Sequence, residues 1–210
     1  DVCLKVRESK KQPFVIIVSN PLDVMAYTAF RVLGYPKSRV LGMAGVLDTY
    51  RFLHNIQNKL NTRSTRIDAL TLGSHGDTMV PLSSEAKVDG KKLTGLIPAQ
   101  ELKELEERTK NGGAEIVSLL KTGSAYYAPA ASTVRMMEAI IKNQNSVLPC
   151  SVYAEGEYGI RDIFIGLPVK LNKTGFAGAV PVKMNDDEKK QLAASAAAIA
   201  EQVGKIRDKF

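Results

Sequence analysis

The 210-residue chain contains no tryptophan and only two cysteines and two histidines. Cys3 and Cys150 form no CxxC pair and have no histidine at ligand spacing, which argues against a zinc site or any other metal centre. So few cysteines suit a reduced protein of the cytoplasm. No apolar run reaches the roughly 20 residues needed to cross a bilayer. The longest are Phe14–Val18 and the alanine-rich Leu192–Ala200, the second flanked by Lys189, Lys190 and Glu201. No membrane span is expected. The N-terminus, Asp1 to Glu8, lacks an initiator Met, the basic start and the apolar core of a signal peptide, and reads like a chain that starts mid-helix. A GxGxxG phosphate loop occurs nowhere, nor does the acidic ribose reader that follows one by about 20 residues. Internal repeats are absent as well.

What is present is an ordinary globular composition, 44% apolar and 24% charged, enough for one large domain or one and a half. Lys and Arg outnumber Asp and Glu by 29 to 22, a formal charge of +7. That excess suits anionic partners. The positive residues are scattered and interleaved with acids, without a basic block carrying aromatics, so small acids are expected as partners and nucleic acid is not.

The hydrophobic pattern predicts an α/β chain. Residues 1–11 look helical. Phe14–Val18 is a continuous β-branched run, the pattern of a strand buried on both faces of a parallel sheet. Leu22–Leu33 reads as a helix closed by Gly34, Arg39–Leu41 as a short strand, and Gly42–Gly45 as a tight turn. Apolar residues at 47, 50, 53, 56 and 60 mark an amphipathic helix. Ala69–Leu72 reads as a strand, Ser74–Asp77 as a loop, and Val80–Val88 as extended with a turn at Asp89-Gly90. Pro98–Leu120 is a helical pattern interrupted at Gly112-Gly113, and Pro129–Lys142 is another helix. Val147–Tyr153, Ile163–Leu171 and Phe176–Met184 read as strands. Asn185 and the acids after it open a last helix that runs nearly to Phe210. A parallel α/β piece therefore precedes a mixed α+β piece, with the seam near Gly42.

Three clusters could carry chemistry. In the first, Gly73–Asp77, His75 sits between small neighbours after a strand. Its ordinary pKa near 6.5 suits proton transfer, whereas the plainer reading is an exposed glycine turn. His54 lies mid-helix and reads as a surface or helix-packing residue. In the second, Asp48 and Arg51 share a helix face. They could form an intrahelical ion pair, or each could serve a different target. A guanidinium can grip a substrate carboxylate with two parallel hydrogen bonds, and a carboxylate can orient an imidazole. In the third, Val18, Ser19 and Asn20 end the presumed parallel strand, where open α/β sheets bind ligands. Ordinary helix entry explains the same residues.

Taken in order and spacing, Val18–Asp23, Gly42–Phe52, Gly73–Asp77, Lys121–Ala130 and Glu155–Asp162 resemble the lactate/malate dehydrogenase family. Gly42–Gly45 and Gly123–Ala130 are closest to its malate dehydrogenases built on the lactate dehydrogenase plan. The resemblance covers essentially the whole chain. It implies the end of a Rossmann NAD-binding domain over residues 1–41 and a mixed α+β substrate domain over 42–210. It also implies NAD as cofactor, malate and oxaloacetate as substrates, and a homodimer or homotetramer. By position, His75 matches the proton acceptor, Asp48 the carboxylate that orients it, and Arg51 the binder of the substrate carboxylate. Asn20 matches the amide that contacts substrate, with Val18 and Ser19 beside the nicotinamide. The family's glycine-rich loop and two lid arginines have no counterpart in these 210 residues, and Leu53 stands where an arginine is frequent. From the lack of those parts, the 210 residues alone are expected to be inactive. A non-catalytic fragment that keeps a carboxylate-binding or subunit-contact surface stays open, as does a dehydrogenase for another 2-hydroxy acid such as lactate.

Overall fold

The computed structural model describes residues 1–9 and 11–209. Within them lie α1 (Val2–Glu8), β1 (Val15–Ile17), α2 (Leu22–Leu33), β2 (Val40–Gly42), α3 (Gly45–Lys59), β3 (Ile67–Asp68), β4 (Thr71–Leu72) and β5 (Val80–Pro81). They are followed by β6 (Lys87–Val88), β7 (Lys91–Lys92), α4 (Ala99–Leu120), α5 (Tyr127–Ile141), β8 (Ser146–Glu155), β9 (Arg161–Asn172), β10 (Gly175–Ala179) and α6 (Asp186–Gly204). Helix α2 ends where its pattern predicts. Gly34 adopts a left-handed φ of 65°, which costs glycine nothing, and its N–H closes onto the Phe30 carbonyl. Helix α6 opens with a capping box: the Asn185 side chain accepts from Glu188 N–H at 2.8 Å, and the Glu188 carboxylate accepts from Asn185 N–H at 2.9 Å.

One five-stranded sheet, ordered β1-β2-β8-β9-β10, organises the chain. β1 and β2 run parallel, and β2 meets β8 antiparallel through the Gly42–Ser151 pair. β8 and β9 form a long antiparallel hairpin, and β10 covers the far side. Helices α2, α3, α5 and α6 pack on β8 or β9. Ile163–Val169 of β9 is therefore buried without interruption, as is Cys150 in the middle of β8. Burial pushes the Cys150 thiol well above its usual range, so this cysteine is an inert core residue.

Several sequence expectations change. β1 is half-buried rather than covered on both faces, because among the described residues only β2 flanks it. Gly42–Gly45 is no turn: Gly42 ends β2, and Gly45 is already helical. The stretch from Val80 to Val88 is extended only at β5 and β6. β10 stops at Ala179 after a register shift, two residues before Pro181, which has no N–H to continue a ladder. α4 runs unbroken through Gly112 and Gly113. α6 ends at Gly204, followed by a short 3-10 turn over Arg207–Lys209. α1 ends at Glu8 with Ser9 as its cap, and Lys11, expected in the same helix, lies in a bend; Lys10 and Phe210 fall outside the described residues.

The close approach at Gly42 makes a stability prediction. A Cβ there would meet Leu22 Cδ2 and Ser151 Cβ, each at 2.7 Å, whereas one at Gly76 would meet nothing within 4 Å. Gly42→Ala is expected to lose about 1–3 kcal/mol in urea unfolding by overpacking. Gly76→Ala should stay within about 0.5 kcal/mol of the parent. Equal losses would place the crowding elsewhere.

Candidate active site

The loop after β4 is anchored on several sides. Gly73 exchanges two 2.9 Å backbone hydrogen bonds with Gly166 of β9. Ser74 N–H donates to Ser195 Oγ on α6 at 2.8 Å, and His75 N–H donates to Asp23 Oδ2 on α2 at 3.0 Å. So held, the His75 ring places Nδ1 2.8 Å from Asp48 Oδ2. A carboxylate only accepts, so Nδ1 carries the proton and Nε2 of the neutral ring keeps its lone pair. Nε2 has no hydrogen-bond partner among the described residues, and His75 lines a cleft of about 270 Å³ with Pro21, Leu22, Gly76, Thr78 and Ile199.

Asp48 lies in the first turn of α3 and is 1% exposed. Its second oxygen accepts from Arg51 Nη1 at 3.3 Å, one turn further on. The ion pair and the imidazole contact thus coexist on one carboxylate. The Arg51 pairing engages one N–H of five, and Arg51 Nε is buried with no partner among the described residues. Nε is closed off against Gly112, so the donor capacity left for a carboxylate is that of the Nη groups. The guanidinium lies on the Gly112-Gly113 pair: a Cβ on Gly112 would stand 3.2 Å from Arg51 Cδ, and one on Gly113 would stand 3.7 Å from Nη1 and Nη2. The glycines read from sequence as a helix break are the groove that admits this side chain.

Burial pushes the His75 pKa down, and the Asp48 hydrogen bond and charge, with the charge of Asp23, more than reverse it against Arg51. The net direction is upward. Asp23 moves up too, driven by burial and opposed by hydrogen bonds from Ser151, the His75 amide and Ser74.

The structure therefore joins His75, Asp48 and Arg51. Val18, Ser19 and Asn20 follow β1 as exposed residues with no hydrogen bonds among the described residues, Val18 being 43% exposed. They are not bonded to the His75 group, but the cis Asn20–Pro21 bond leads straight into Pro21 and Leu22 of its cleft. His54 is exposed, pairs with Asn58, and takes no part. Asp23 escapes the sequence reading, although it stands inside the Val18–Asp23 motif. An acid in a first helical turn has a local explanation in the helix dipole, so nothing in the pattern marked it. Among the described residues no group of three or more His, Cys, Asp or Glu is placed to hold a metal ion, and no helix is long and apolar enough to cross a membrane.

Residues 45–209 match the model of the lactate/malate dehydrogenase α/β C-terminal domain. Malate dehydrogenase of Chlorobium limicola is 45% identical over 207 residues, covering 99% of this chain and 67% of that protein. The crystal structure of Cryptosporidium parvum malate dehydrogenase superposes with a TM-score of 0.93 at 39% identity, covering 99% of this chain and 69% of that one. Lactate dehydrogenase from the same organism, solved with lactic acid and nicotinamide adenine dinucleotide, gives 0.92 at 35%, covering all of this chain and 68% of that one. The chain belongs to the lactate/malate dehydrogenase family, and it spans about two thirds of the length of these relatives.

The raised His75 pKa has a signed consequence. A folded value above the unfolded one near 6.5 means that the ring contributes its full stability below about pH 6.5 and loses it as pH rises through the folded value. In urea unfolding, the stability of the parent relative to His75→Asn should be largest near pH ~5.5 and shrink toward pH ~9. A difference that is flat across that range contradicts the assignment.

Proposed function

We propose that this chain provides the substrate-binding and proton-transferring part of an NAD-dependent malate dehydrogenase, converting (S)-malate and NAD⁺ to oxaloacetate, NADH and a proton. In this reading residues 1–41 close a dinucleotide-binding Rossmann unit and residues 42–210 form the substrate domain. The observation that carries it is the buried Asp48 carboxylate holding both His75, at 2.8 Å, and Arg51, at 3.3 Å, with His75 lining an open cleft and Arg51 a neighbouring one against α4.

Arg51 binds the substrate's C1 carboxylate through donors its ion pair leaves over, and so fixes which face of C2 is presented. His75 Nε2 accepts the hydroxyl proton of malate, and Asp48 stabilises the imidazolium that forms. The Asn20 amide contacts the substrate from the end of β1. Val18 and Ser19 are exposed at the carboxyl edge of a parallel strand, which fits the nicotinamide end of a dinucleotide. NAD, when bound, supplies the acceptor for the C2 hydride. The 210 residues contain no GxGxxG, so the groups named here account for the nicotinamide end alone. A homo-oligomer suits the exposed apolar face of α5, where Tyr127 is 89% and Ile141 75% exposed.

The test joins the N-terminal third of the Chlorobium limicola enzyme to this chain and follows malate oxidation by absorbance. His75→Asn should lower kcat by about 10²–10⁴-fold with little change in NADH affinity. Arg51→Lys, which keeps the charge but not the planar fork, should lower kcat/KM by about 10²-fold or more, roughly 3 kcal/mol. A His75→Asn enzyme retaining more than about a tenth of parental kcat would remove the general-base role.

A further inference from the structure

We propose that the Asn55–Thr109 hydrogen bond is a pin that sets the register of α4 against α3, so that Gly112 and Gly113 stand opposite Arg51. Asn55 and Thr109 are positioning residues, acting through the guanidinium rather than on the substrate. The proposal rests on the reading of Arg51 as the binder of the substrate carboxylate. Asn55 follows Arg51 by one turn of α3, and its Nδ2 donates to Thr109 Oγ1 at 3.0 Å. Thr109 is fully buried, and its hydroxyl donates to the Leu105 carbonyl of its own helix at 2.9 Å. With that proton committed, the Thr109 oxygen can only accept, and Asn55 supplies the donor. One turn further along α3, Lys59 pairs with Glu101 at 2.6 Å, but both side chains are more than a third exposed and the pair adds little.

The register matters because the glycine groove is narrow and the burial of α4 ends early. Thr109 is the last buried residue of α4, after Leu102 and Leu105, and the helix then runs on to Leu120. Past Thr109 it carries the glycines across Arg51, where a Cβ on Gly112 would already stand 3.2 Å from Arg51 Cδ. Sliding α4 by one helical turn, about 5.4 Å, would bring Arg108 or Ile116 to the place of Gly112. The first sets a like charge against the guanidinium, the second a branched side chain, and either would push Arg51 away from Asp48. The bond at Thr109, one turn before Gly112, excludes both. It holds the guanidinium where Nη1 meets Asp48 at 3.3 Å and Nε stays closed off against Gly112. A misplacement of about 1 Å in such a group costs roughly 100-fold in rate, which gives the pin a functional consequence.

Exchange and kinetics test this, with Thr109→Val removing the hydroxyl at nearly constant shape and Thr109→Ser keeping it. In the 210-residue chain, Thr109→Val should speed solvent exchange of the Arg51 Nε–H, read by NMR, by about tenfold or more. Thr109→Ser should leave it within about threefold of the parent. In the joined enzyme, Thr109→Val should lower kcat/KM for malate by roughly tenfold, mostly as a higher KM, because the grip on the carboxylate is what loosens. Thr109→Ser should stay near the parent. In an Arg51→Lys background the same Thr109→Val change should cost less than about twofold, since the group it positions is gone. Should Thr109→Val fail to fold, Asn55→Ala removes the same bond from its half-buried side and is expected to give both effects. Unchanged exchange, an equal loss of kcat/KM with and without Arg51, or Thr109→Ser behaving like Thr109→Val would each overturn the proposal. If Arg51→Lys alone leaves kcat/KM unchanged, the carboxylate reading fails, and the exchange result still decides whether the pin holds Arg51.

Discussion

The buried carboxylate of Asp48 is the constraint on which the rest of the site depends. At 1% exposure its charge has no solvent to stabilise it, so it must be met by protein donors, and His75 and Arg51 are those donors. Three side chains are thereby held in one arrangement. The neighbouring residue strengthens the hold: Thr49 Oγ1 accepts the Thr71 N–H of β4 at 2.9 Å, so α3 grips the strand that leads into the His75 loop. The proposed chemistry uses what this geometry leaves over, a lone pair on His75 Nε2 and unused N–H groups on Arg51.

The architecture serves this constraint by bringing backbone close to backbone. At Gly45, the first residue of α3, a Cβ would stand 2.7 Å from Pro149 Cβ and 2.9 Å from the Thr71 carbonyl. At Gly42 the sheet passes similarly close to Leu22 and Ser151. The missing side chains seat the first turn of α3, and Asp48 with it, directly against β8 and β4. Further along, the Gly112-Gly113 pair gives up helix propensity of about 1 kcal/mol per glycine so that Arg51 can lie across α4. Local cost is accepted where it places a functional group.

What was legible in the sequence follows from the range of each interaction. The 3.6-residue periodicity and Gly34 located α2 at both ends, and the Asn185 cap located the start of α6, because these signals are local. His75, Asp48 and Arg51 were visible as candidates through their residue types and motif spacing, although only the fold shows their contacts. Asp23 was not. Its partner Ser151 is 128 residues away, and no local pattern encodes that bond. Gly112 and Gly113 misled for the same reason, since packing against Arg51 overrides their intrinsic preference to end a helix. The burial of β1 also depended on which strands flank it, which a β-branched run does not specify.

The most direct measurement of the central claim is the titration of the His75 ring by NMR in the parent chain and in Asp48→Asn. In the parent, Asp48 outweighs burial, so the ring should titrate above its ordinary value near 6.5. With the charge removed, burial dominates and the midpoint should fall below about 6.5. A midpoint that is the same in both proteins would contradict the account, because it would mean that the buried carboxylate does not govern His75.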